Sequence, residues 1–129
     1  MNTHVASSNL LLSSDDRQFI TAHLDQNIDQ LAFKLPRTEK SKLLLHQIQA
    51  RKKIKHKVPS WLANDALIMP QSISLEQCSS EATALFKQSL LAGNTLMDLT
   101  GGMGIDTSFL AKNFQSTIHF EQQEELSQL

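Results

Sequence analysis

The chain has 129 residues, 40% hydrophobic and 19% charged, with a formal net charge of −1, which fits one domain, or one domain with part of another, and excludes the low-hydrophobicity, high-charge composition of an unfolded chain. No apolar run approaches the roughly 18 residues of a membrane helix. Met1-Asn2-Thr3-His4 and the Ser-rich stretch after it lack the charged and apolar regions of a secretory signal, and the single cysteine, Cys78, excludes an internal disulfide framework, so a cytoplasmic protein is expected.

Ser13-Ser14-Asp15-Asp16 predicts a helix over about 14–25, with hydroxyl caps, carboxylates at the positive end of the dipole and an apolar stripe of Phe19, Ile20 and Leu24. Asn27 caps a second helix, in which Ile28, Leu31, Ala32 and Leu35 share a face until Pro36 stops it. Thr38 caps a third, carrying Leu43, Leu44, Leu45, Ile48, Ala50 and Ile54 to about residue 56, ahead of Pro59. Of the 12 Lys and Arg, eight (Arg37, Lys40, Lys42, Arg51, Lys52, Lys53, Lys55, Lys57) fall in positions 37–57, opposed there only by Glu39. Such a run suits either an anionic partner such as nucleic acid or the solvated face of a helix.

Residues 58–78 hold two of the three prolines and the only tryptophan, and they read as an ordered connector. Ser79 or Ser80 then caps a helix whose Ala82, Leu85, Phe86, Ser89 and Leu90 trace one face, closed by Gly93 as a left-handed C-terminal cap. From residue 95 the pattern changes. Thr95-Leu96-Met97-Asp98-Leu99-Thr100 is a strand opening into Gly101-Gly102-Met103-Gly104; Asp106 is placed to cap a helix that uses Phe109, Leu110 and Phe114; Thr117-Ile118-His119-Phe120 is a second strand ending at Glu121; and 122–129 begin a further helix. The expected fold class is α/β, with a helical module over 1–92 (connector 58–78) followed over 93–129 by the first β-α-β unit of a Rossmann-like domain.

A glycine-rich turn between strand and helix lets the backbone bend sharply and approach a ligand, and the helix start offers N–H groups to polar or anionic atoms. Glu121 lies 17 positions after Gly104, close to the roughly 20 at which a carboxylate accepts hydrogen bonds from ribose hydroxyls. The dinucleotide fingerprint Gly-x-Gly-x-x-Gly is not met, because Thr107 occupies its third place, and no Gly-Lys-Ser/Thr follows as in a phosphate-binding loop. Asp98, just ahead of the glycines, would repel a pyrophosphate but suits the ammonium of an amino-acid-bearing nucleoside, which favours S-adenosylmethionine.

The same residues resemble a known family. Asp98-Leu99-Thr100-Gly101-Gly102-Met103-Gly104-Ile105-Asp106 is similar to motif I of class I S-adenosylmethionine-dependent methyltransferases. Gln47-Ile48 with Arg51, Pro59-Ser60-Trp61 and Ser74-Leu75-Glu76-Gln77-Cys78-Ser79-Ser80-Glu81 resemble one bacterial branch of them, well represented in Bacteroidetes. Full-length members of that branch continue to a C-terminal THUMP-like region, which implies an RNA substrate. The resemblance implies Gly102 and Gly104 as points of backbone approach to the cofactor, with Gly101 beside them, Asp98 as a contact to its methionine part and Glu121 as the ribose ligand. Thr100 stands where the wider class more often has glycine, and its hydroxyl would bond either the cofactor or the turn.

Only 31 residues follow Asp98, fewer than a doubly wound domain needs. The chain is therefore expected to be an N-terminal fragment, inactive alone, completed by the remainder of the same polypeptide and prone to self-association through open strand edges. No catalytic residue is assigned. Arg51, Lys52, Lys53, Lys55 and Lys57 are candidate phosphate contacts, and Trp61 is either a core anchor or a stacking platform for a base. Cys78 reads as a buried structural thiol in preference to a nucleophile, Glu76 and Glu81 as capping residues, and the five histidines show no metal-ligand spacing. Two other readings stand beside the methyltransferase: a fragment of a nicotinamide-dependent oxidoreductase, and a non-catalytic helical module that binds nucleic acid.

Overall fold

The computed structural model describes residues 12–69 and 77–122. The expectations for Glu76 and for a helix over 122–129 lie outside them or nearly so.

Three helices begin where short side chains can cap them. Helix α1 (Ser14–Ala22) starts at Ser13, whose hydroxyl accepts the Asp16 N–H while Asp16 accepts the Ser13 N–H, a reciprocal capping box. It ends one turn short of the expected residue 25, where the His23 N–H closes on the Ile20 and Thr21 carbonyls. In α2 (Ile28–Lys34), Asn27 accepts the Gln30 N–H, and in α3 (Glu39–Lys57), Thr38 accepts that of Ser41. Lys40 also pairs with the buried Asp16, tying α3 to the start of α1. That ammonium, with the Ser13 bonds, holds the Asp16 carboxyl below the usual carboxylate range despite its burial.

Leu12, Ile20, Leu31, Leu44 and Ile48 form one apolar cluster among these helices. A second cluster joins Ala50, Ile54 and Val58 to Met69, to Ala84 of the fourth helix and to Ile105 and Phe109 of the fifth, so the apolar packing crosses position 92 without a break. Trp61, in a 3₁₀ turn over Pro59–Ala63, and Cys78 both pack half-buried against it. Trp61 thus packs against the core with part of its surface still exposed.

Between the clusters lie two buried polar side chains. The Gln47 amide is fully enclosed and pairs with the Met69 backbone in both directions, donating to its carbonyl at 2.6 Å and accepting its N–H at 2.9 Å. Arg51, only 4% exposed, donates to the carbonyls of Asn64, Asp65 and Leu67. These bonds satisfy the backbone of an irregular segment that has no ladder of its own.

Helix α4 (Glu81–Leu90) is capped by Ser80, and the Glu81 carboxylate accepts the Ser60 N–H at 2.9 Å. The apolar face read along α4 is not the packed one: Ala84 is buried, whereas Leu85, Phe86 and Leu90 are exposed. Gly93 is not a left-handed cap either. Leu91 turns extended directly out of the helix, and Gly93 opens strand β1 (Gly93–Asp98), where a Cβ would lie 3.1 Å from the Phe114 ring. Helix α5 (Ile105–Leu110) connects β1 to strand β2 (Phe114–His119), which begins three residues before the predicted strand and claims Phe114 from the helix. The strands are parallel, with Gly93 opposite Phe114 and Asp98 opposite His119. The described part is thus an α/β arrangement in which helices pack beside a small parallel sheet. Among the described residues no helix is long and apolar enough to cross a membrane.

Candidate functional site

The site is built where β1 and β2 end together. Beyond the strands the parallel pairing continues, since the Phe120 N–H donates to the Asp98 carbonyl at 2.8 Å and the Gly101 N–H to the Phe120 carbonyl at 3.0 Å. This holds the chain after Asp98 against the end of β2 and forces a tight reversal, closed by the Gly104 N–H on the Gly101 carbonyl at 2.8 Å. Gly102 (φ +53°) and Gly104 (φ +76°) take left-handed conformations inside it, where a Cβ would meet backbone oxygen. Gly104 is also the N-cap of α5.

Two carboxylates face this turn. Asp98 accepts the Thr100 N–H on Oδ1 at 3.0 Å and the Thr107 hydroxyl on Oδ2. Glu121, just past β2, accepts the Gly102 N–H on Oε2 at 2.7 Å. Of the residues predicted from sequence, Asp98, Gly101, Gly102, Gly104 and Glu121 come together here, and Thr100 contributes its backbone N–H.

Gly101 has a reason of its own. A Cβ there would lie 1.9 Å from Cε1 of the His119 ring, so this glycine makes room for an imidazole. His119 Nδ1 stands 3.1 Å from the Thr107 hydroxyl oxygen, the same hydroxyl that bonds Asp98. Neither Thr107 nor His119 emerged from the sequence as a site residue. The β-α-β reading did carry a signal, because parallel pairing places the C-terminal residues of adjacent strands side by side.

Asp106 does not cap α5, because Gly104 already holds the N-cap position. Instead its Oδ2 accepts from Ser79 Oγ and from Lys87 Nζ, both at 2.7 Å, so the α4 segment grips the residue two beyond Gly104. Its Oδ1 is buried without a partner. One face of the sheet region stays open, with Met97, Leu99, Ile118 and Phe120 all exposed.

The basic segment divides. Arg51 does not stand as a phosphate contact, since its guanidinium is enclosed and both terminal nitrogens donate to carbonyls, three in all, while its Nε is buried without a partner. Burial disfavours its charge, which the nearby Asp65 partly restores. Lys52 donates to the Gln26 carbonyl, and Lys55 stands 3.8 Å from Asp25. Both line a cavity of about 230 Å³ with Leu24, Asp25, His56 and Leu62, and the enclosed Arg51 forms part of its wall. Lys53 is exposed and Lys57 half-buried. His46, on the same helix, is held below its ordinary pKa by burial. Among the described residues no group of three or more His, Cys, Asp or Glu is placed to hold a metal ion.

No protein-family model and no curated protein matches the chain. Among solved structures it is similar to a "putative methyltransferase" from Porphyromonas gingivalis W83, at 26% identity and a TM-score of 0.72, over 88% of this chain and 29% of that one. The chain thus spans under a third of the protein it resembles, and the likeness supports a methyltransferase-like fold.

Proposed function

We propose that this chain is the cofactor-binding start of a class I S-adenosylmethionine-dependent methyltransferase acting on RNA. The observation that carries the reading is the glycine turn flanked by two carboxylates, Asp98 at its base and Glu121 on the Gly102 N–H. Gly102 and Gly104 leave the backbone open to close approach. Asp98 supplies negative charge for an ammonium, and a carboxylate offers about four acceptor positions, so Glu121 can receive ribose hydroxyls while keeping Gly102. Thr107, where a dinucleotide fold wants glycine, is buried and bonded to Asp98, which favours this cofactor over a nicotinamide.

The bound cofactor supplies an activated methyl on a sulfonium. The protein's work is then to hold it and to align a nucleophile behind that methyl. The residues assigned above hold; none of them orients the acceptor. For RNA, Lys52, Lys53, Lys55 and Lys57 would give phosphate contacts that position without reading sequence.

Thermal unfolding with S-adenosylhomocysteine and, separately, NAD tests the reading on this chain and on any longer native polypeptide that contains it. S-adenosylhomocysteine should raise the Tm, and Gly104→Asp should abolish the rise. A rise with NAD alone, or with neither in any of the longer polypeptides, overturns it.

A further inference from the structure

The hydrogen-bond chain Asp98–Thr107–His119 can be resolved proton by proton. Thr107 has one hydroxyl proton and two polar neighbours, Asp98 Oδ2 and His119 Nδ1. An ionised carboxylate only accepts, so the threonine proton goes to Asp98, and the Thr107 oxygen must then receive a proton from the imidazole. His119 is thereby required to carry hydrogen on Nδ1, leaving Nε2 as the bare nitrogen when the ring is neutral. Gly101 admits the ring to this position, because only a residue without Cβ leaves space for its Cε1–Nε2 edge.

We infer that His119 is a positioning residue for the cofactor-facing carboxylate: its Nδ1–H orients the Thr107 hydroxyl, which with the Thr100 N–H fixes both oxygens of Asp98 at the base of the glycine turn. This deepens the proposed function and rests on it only for its effect on cofactor affinity. Thr107 and His119 sit on different elements, α5 and the end of β2, so the chain also couples the turn to the second strand. A threonine in the third fingerprint position serves here as the relay between them.

The test is nitrogen NMR of the His119 ring in the native chain, at a pH where it is neutral. The inference expects the Nδ1–H tautomer, which an unrestrained histidine disfavours, and expects Thr107→Val to return the ring to Nε2–H while Thr107→Ser does not. His119→Asn places an amide N–H near the Nδ1 position, so it should preserve the Asp98 carboxyl carbon shift, whereas His119→Val should move it. Where S-adenosylhomocysteine binds, His119→Val should weaken it about tenfold and His119→Asn should restore most of that affinity. An Nε2–H tautomer in the native chain, or an Asp98 signal indifferent to His119→Val, overturns the inference. If S-adenosylhomocysteine does not bind the native protein, the proposed function fails, and the tautomer and the Asp98 signal still decide the inference.

Discussion

Polar side chains organise irregular backbone in two regions of this molecule, and the regions differ in what surrounds those side chains. Around α3, Gln47 and Arg51 reach into the segment 64–69 from inside the packed helices, fully or nearly fully enclosed. At the glycine turn, Asp98 and Glu121 hold the backbone, and His119 meets the Thr107 hydroxyl, from positions that solvent still reaches. Burying a polar group away from water makes its partner obligatory, and removing one leaves the other unsatisfied at a cost of about 1–3 kcal/mol. An open polar network can exchange partners with water or a ligand at much smaller cost. The first arrangement therefore builds a scaffold and the second a place where something can bind.

The contrast is broken most severely at Arg51. Arg51→Met should destabilise the fold by about 3 kcal/mol or more, since it strands three carbonyls around an apolar side chain. Lys53→Ala, on the exposed face of the same helix, should stay within about 0.5 kcal/mol. Denaturant unfolding followed by helical circular dichroism compares the two, and equal effects would remove Arg51 from the scaffold. Gly101→Ala comes next, with a loss of about 1 kcal/mol from a methyl that pushes the exposed His119 ring off the Thr107 hydroxyl. In a double-mutant cycle with His119→Ala most of that loss should disappear, and additive effects would show that the ring is not the obstacle.

Smaller effects sharpen the comparison at its seam. Lys87→Met removes the ammonium that joins α4 to Asp106, a half-exposed contact, and should cost about 1 kcal/mol, less at high salt. The acid limb of stability has two parts. Burial lowers the His46 pKa, so the unfolded chain binds the proton more readily, and stability should fall as pH drops below about 6.5. The Asp16 pKa is lowered by Lys40 and Ser13, so its contribution is complete above about pH 4 and is lost as pH falls through the lower folded value. Chemical denaturation between pH 7 and pH 3 should show both, with His46→Gln removing the first and Asp16→Asn the second.

Much of this was legible in the residues because capping is local. Ser13, Asn27, Thr38 and Ser80 each bond a backbone N–H three residues on, and a short window contains both partners. Gly102 and Gly104 belong to the same class, being demanded by the turn they form. Gly93 and Asp106 satisfied local templates equally well and do something else. Gly93 yields space to Phe114, 21 positions away, and Asp106 binds Ser79 and Lys87 of the preceding helix segment. Arg51 looked like its basic neighbours until the fold wrapped the chain at 64–67 around it.

By itself, then, the sequence determined the starts of α1 to α4, the change to strand and glycine turn near residue 95, and the pairing of Asp98 with Glu121 as the acidic residues of that turn. Each depends on groups within a few residues, or on a spacing that the β-α-β unit imposes. Only the tertiary structure decided that Arg51 is interior, that the exposed side of α4 carries Leu85, Phe86 and Leu90, and that Thr107 and His119 stand behind Asp98. The physical reason is that burial and long-range hydrogen bonds are properties of contacts between distant segments, and a local pattern is compatible with several such contacts until packing selects one.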